Sequence, residues 1–111
     1  MASEMDQDVE IVVVDVGAVA GGYRVSELIR SAVVNDRGER IGTIDDFIIG
    51  GDDRVLFAVL QVGGFLGLGG RLVAVPYDSL LLADAAGTPK IVLPGATREA
   101  LEQLPEFTYA R

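Results

Sequence analysis

Turn signals recur along this chain at short intervals and limit what can lie between them. "NDRG" at 35–38, "GGDD" at 50–53, "GGFLGLGG" at 63–70 and "AAGTP" at 85–89 each carry glycine, proline, asparagine or aspartate, the residues that reverse a chain. The apolar stretches between them are rich in valine, isoleucine and leucine and too short for ordinary helices, so they read as strands. The expected strands are Ala32 to Asn35, then "ERIGTIDDFII", "RVLFAVLQV", "RLVAVPY", "SLLLAD" and "KIVL". The first two form a hairpin across "NDRG", with Gly38 at positive φ. Ile41 and Ile44 fall out of strict alternation around Gly42, which predicts a bulge or a close backbone contact there.

Both ends add something to this pattern. "EIVVV" at 10–14 is almost wholly β-branched and reads as an extra strand, and the glycines of the following "GAVAGG" are expected to break regular structure. Ser26 is a candidate cap for one helical turn that points Leu28 and Ile29 inward. "TREALEQL" reads as a short helix, with Thr97 as its cap, Ala100, Leu101 and Leu104 on one side, and Pro105 ending it. A chain of 111 residues has room for one core.

The composition narrows function mainly by removal. With 17 acidic and 9 basic residues the formal charge is −8, which repels a phosphate backbone and disfavours direct nucleic-acid binding. Tyr23, Tyr77 and Tyr109 have no spaced basic partners that would make a base-stacking platform. There is no cysteine and no histidine, so disulfides, thiolate ligands, a cysteine nucleophile, a Ser-His-Asp triad and His-ligated metals are excluded. We expect a protein that is not an enzyme, with no catalytic residues, no cofactor and no metal ligands. No apolar run approaches the ~18 residues of a spanning helix, and "MASEMDQDVE" lacks the basic and apolar regions of a signal peptide. As it stands the chain reads as cytoplasmic. A periplasmic location is the alternative for a chain whose leader has been removed.

Three stretches are candidates for function. "GGFLGLGGRL" fails as a phosphate loop: no lysine with serine or threonine follows the last glycine, and counting from Gly67 the third glycine of a dinucleotide fingerprint falls on Leu72. Its glycines suit a sharp change of direction between strands, and Phe65, Leu66 and Leu68 either tuck under the sheet or form an exposed docking tip. The preceding strand places Val55, Phe57 and Val59 on one face and Leu56, Ala58, Leu60 and Val62 on the other. Both faces are apolar, yet a one-layer barrel buries only one, so the second must meet a tail, a helix or another subunit. Leu56, Leu60 and Val62, with Phe65, Leu66 and Leu68, are therefore the candidate interaction surface. The pairs Asp45/Asp46 and Asp52/Asp53 invite a hard cation, but the D-x-[DN]-x-[DN]-G order is missing and turn chemistry explains them. Asp6, Asp8, Glu10 and Asp15 make an acidic, solvated amino end.

In order, "LIRSAVVNDRGERIGTIDDFII", "VLFAVLQVGGFLGLGGRLVAVPYDSL" and "IVLPGATREALEQLPEF" resemble the PRC-barrel family, named from the cytoplasmic barrel of the photosynthetic reaction centre H subunit and found also in the C-terminal half of the ribosome maturation factor. The most specific matches are Gly42, Ile44 and Asp46 in G-x-I-x-D, the glycines Gly63, Gly64, Gly67 and Gly69, and V-P-Y-D with Pro76 and Asp78. The resemblance implies a small, strongly bent, mainly β barrel of about six strands, with a short C-terminal helix and an extra N-terminal strand outside the match. It divides the chain into an N-terminal extension at 1–22, the barrel at 23–107 and a tail at 108–111. It further implies an assembly module of bacterial type; the two-faced apolar strand and the Gly-rich apolar tip add the expectation that it binds itself, as a dimer or larger, or another protein, with a membrane reached only through a partner. A small-ligand or metal-ion-binding barrel using the acidic turns is the alternative. Arg30 departs from the family pattern, in which glycine commonly follows the Leu-Ile pair.

Overall fold

The computed structural model describes residues 11–51, 56–63 and 70–111. Six strands form one sheet: β1 (Ala32–Val34), β2 (Arg40–Ile49), β3 (Leu56–Val62), β4 (Arg71–Pro76), β5 (Leu81–Ala85) and β6 (Thr88–Val92). Their order is β4-β3-β2-β1-β6-β5. All neighbouring pairs are antiparallel except β1 and β6, which run parallel through Val33–Ile91 and Val34–Val92. The two edges, β4 and β5, are separated in sequence by only a 3-10 turn at Tyr77–Ser79 and Leu80. Such a short link brings the two edges together at one corner, so the sheet must bend strongly. No β4–β5 ladder closes it among the described residues.

The bend is built by local chemistry. Asn35 is buried, at 2% exposure, and uses all its side-chain hydrogen-bonding capacity. Its Oδ1 accepts from the main chain of Arg37 and Glu39, and its Nδ2 donates to Glu39 Oε1 and to the Ala96 carbonyl. That last bond ties the "NDRG" turn to the segment after β6, where Asp36 also accepts from Gly95 N–H at 3.0 Å. At Gly42 a Cβ would stand 2.8 Å from the Gln61 carbonyl oxygen, so β2 crosses β3 too closely for any side chain. The expected irregularity is present on both sides of it, as register shifts between Val33 and Val34 and between Ile44 and Asp46.

The concave face holds the core: Val33, Ile41, Ile44, Ala58, Leu60, Val62, Val73, Val75 and Ile91, capped by Leu28, Leu80, Leu93 and Leu101. Helix α1 spans Val16–Ala20, α2 spans Val25–Leu28 and α3 spans Arg98–Glu102. Thr97 caps α3 as expected, its hydroxyl accepting from Ala100 N–H at 3.0 Å. Arg71 clamps the other end of α3, donating to the Glu102 and Leu104 carbonyls.

Three local expectations are corrected. Residues 11–14 join no strand, and Glu10 lies outside the described residues. The glycine-containing stretch that follows forms α1, because Asp15 Oδ1 accepts from Gly17 and Ala18 N–H and caps it. Ser26 is inside α2, whose cap position is Arg24, without a side-chain bond. Arg30 adopts φ 75, the left-handed conformation that suits the glycine it replaces. Its N–H still bonds the Ile44 carbonyl at 2.8 Å, which holds the residue in that shape.

Candidate functional site

The two faces of β3 have different fates. Ala58, Leu60 and Val62 point into the core at 0% exposure, so Leu60 and Val62 are not available as an interaction surface. That expectation fails because the strand's two faces are equally apolar, and the bend of the sheet decides which becomes concave. Leu56, at the start of the strand, is half-buried. Phe65, Leu66 and Leu68 lie outside the described residues, as do Gly64, Gly67 and Gly69. Asp52, Asp53 and Val55 also lie outside them.

On the convex face Val59 is fully buried without belonging to the core, opposite Asp46 on β2 and Ala74 on β4. The chain's own carboxyl end is bonded to the two strands that flank β3. Phe107 N–H donates to the Leu72 carbonyl of β4 at 2.7 Å, and the Tyr109 hydroxyl donates to Asp45 Oδ2 on β2 at 2.6 Å. The segment between therefore bridges β4 to β2 across β3. Phe107 and Tyr109 stack edge to face, with centroids 5.0 Å apart. Burial, then the hydrogen bond to Asp45 and the charges of Asp45 and Asp46, pushes the Tyr109 phenol well above its ordinary range. The sequence offered a signal for this latch, the period-two aromatics of "EFTYA".

The acidic turns do not form a cation site in the described residues. Asp45 is occupied by Tyr109, Asp46 accepts from Phe47 N–H at 2.8 Å, and no three acidic groups converge among the residues described. A shallow groove of about 320 Å³ lies between β1 and β6, lined by Ser31, Val34, Pro89 and Lys90 among others, with Lys90 its one charged side chain. Of the motif residues, Gly63 sits at φ 70 against the Glu102 carboxylate, Pro76 ends β4 and Asp78 lies in the 3-10 turn.

Among the described residues the amino-terminal arm carries most of the exposed large apolar side chains, with Val25, Ile49 and Leu81 exposed elsewhere. Ile11 and Val13 are 93% and 92% exposed, and Val12, Val14, Val16 and Val19 are exposed as well. No residue of α1 is buried. The profile of the PRC-barrel domain matches residues 20–97 of this chain. The chain is a member of the PRC-barrel family. No curated protein matches it. The matched region runs from just after the arm to the cap of α3, so the bent sheet, the Asn35 turn and Gly42 belong to the family domain and the exposed arm lies ahead of it. PRC-barrel domains are small β modules of protein assembly and in general not catalysts. No helix among the described residues is long and apolar enough to cross a membrane.

Proposed function

We propose that this PRC-barrel protein is a non-enzymatic assembly module that associates with a second copy of itself. The observation that carries this reading is the run of six exposed β-branched side chains between Ile11 and Val19, ahead of a barrel whose strands β2 and β4 are already bonded by its own tail. A contiguous exposed apolar stretch of this kind marks an interaction site on a water-soluble surface. The lack of histidine and cysteine supports a binding role over a catalytic one, since the usual groups for proton transfer and nucleophilic attack near neutral pH are missing from the sequence.

The test is the solution mass of the full chain by size-exclusion chromatography with light scattering across a concentration series. A mass of twice 11.7 kDa or more that falls on dilution supports self-association. A constant monomer mass rejects it. Because each copy carries a formal charge of −8, association is expected to strengthen as salt screens the repulsion. The small-ligand reading is weaker, since Asp45 and Asp46 are engaged within the chain.

A further inference from the structure

The sheet has two edges, and they are not equivalent. The outer side of β4 is met by the carboxyl-terminal tail, through Phe107 N–H and the Leu72 carbonyl. β5 has β6 on one side and no ladder partner on the other among the described residues. Leu81, Ala83 and Asp84 are exposed along it. The β5–β6 hairpin turns through Ala86 and Gly87, both at positive φ, which is the two-residue turn that places its closing pair, Ala85 and Thr88, in mutual hydrogen bonding. Alternation along an antiparallel ladder then directs the N–H and carbonyl groups of Leu82 and Asp84 toward the open side. Pro89, opposite Asp84, fits this register, because that pair needs no N–H from it.

The same chain carries a strand-forming sequence outside the sheet. Ile11 to Val14 are four consecutive β-branched residues with high strand propensity and no pairing. Asp15 turns the chain into α1 directly after Val14, and the arm, as folded, stands clear of its own sheet with every residue from 11 to 20 exposed. The radius of gyration is 17.2 Å, against about 13 Å for a compact chain near this length. The arm's root lies beside β5. Tyr23 packs against the core next to Asp84, and burial followed by the Asp84 charge raises the Tyr23 phenol above its ordinary range.

We propose that Ile11–Val14 of one copy adds as a strand to the outer edge of β5 in a second copy, with the two arms exchanged. This deepens the self-association reading and rests on it. Strand addition supplies main-chain partners for Leu82 and Asp84, and it buries side chains that the arm's own sheet leaves in water. Reciprocal exchange follows from each chain carrying one donor segment and one edge without a ladder partner among the described residues, with both arms rooted beside the edges they swap. The second copy is the occupant because donor and edge are present in equal number and the arm lies on neither edge of its own sheet.

The experiment uses the full chain, which has no cysteine of its own. Chains carrying Val13→Cys and differently tagged chains carrying Ala83→Cys are mixed and treated with a short bis-maleimide. The expected result is a product joining the two tags. Val13→Pro, introduced beside the probe at residue 12 as Val12→Cys, removes an N–H and fixes φ while keeping the arm apolar, and it should weaken dimerisation roughly tenfold or more. A dimer by light scattering that gives no product between the tags, or that is indifferent to Val13→Pro, overturns arm exchange and leaves self-association standing. A monomer by light scattering overturns both. If Val13→Cys and Ala83→Cys in one chain give only an internal loop, the arm serves its own edge and the exchange is overturned.

Discussion

Residues 11–20 expose a longer run of branched apolar side chains than residues 105–111 possess, yet it is the carboxyl end that lies on the sheet. The tail is held by directional bonds at defined points: Arg71 on the last carbonyls of α3, Phe107 N–H on Leu72, and the Tyr109 hydroxyl on Asp45. The arm has only its internal cap at Asp15. Apolar surface supplies the drive to leave water but no register, whereas a few polar contacts at fixed positions choose where a segment lies. The barrel thus seats one of its ends by itself, and the proposed exchange would seat the other.

The contrast can be broken most severely at Leu60, whose face the sequence alone allows to point outward. Leu60→Ala should cost about 2–5 kcal/mol in urea unfolding if that face is core, and almost nothing if it is surface. Next, Arg71→Met should release the end of α3 and the start of the tail, lowering stability by about 1–3 kcal/mol, with proteolysis appearing first after Leu104. A smaller loss, about 0.5–1.5 kcal/mol, is expected for Tyr109→Phe, which keeps the ring and removes the bond to Asp45. The pH profile of that variant is informative. The folded-state pKa of Tyr109 is raised, so its contribution is complete below the ordinary value of 10.0 and is lost as pH rises beyond it, when the unfolded chain ionises first. Wild type should therefore lose stability above pH 10 more steeply than the Phe variant, and parallel profiles would mean that the Tyr109 hydroxyl does not hold the tail.

Arg30 stands between the two ends. Replacing it with glycine should relieve the left-handed backbone and stabilise the barrel by about 0.5–1 kcal/mol, after the added chain entropy of glycine is subtracted. The smallest effect belongs to the arm. Val12→Thr with Val14→Thr should leave thermal unfolding of the dilute monomer within about 0.5 kcal/mol of wild type, as befits exposed positions. A larger loss would mean that the arm, like the tail, supports its own barrel.

The strands were legible because turn chemistry is local. "NDRG" and "AAGTP" specify their reversals without reference to the rest of the chain, and Gly42 marks its close approach by breaking alternation. Thr97 announced the last helix in the same way. What stayed hidden depends on distant partners. The β-branched run at 11–14 reads as a strand, but no local rule supplies it with a neighbour, and the Asp15 cap of α1 was masked by the glycines after it. Which face of β3 turns inward is set by the sheet's curvature, not by the strand. Asn35 reads as a turn residue, while its bond to Ala96, far along the chain, is invisible without the fold.

The single parallel pairing has a kinetic consequence. β1 and β6 are joined through Val33 and Ile91, residues far apart in sequence, whereas every other ladder links strands that are consecutive in the chain. Local hairpins incur little loop-closure entropy and can form early, so the β1–β6 seam is expected to zip last, after β1–β4 and β5–β6 exist as separate units. Val33→Ala should then accelerate unfolding while leaving the refolding rate nearly unchanged, and a slowed refolding limb in a stopped-flow chevron would place the seam in the nucleus instead.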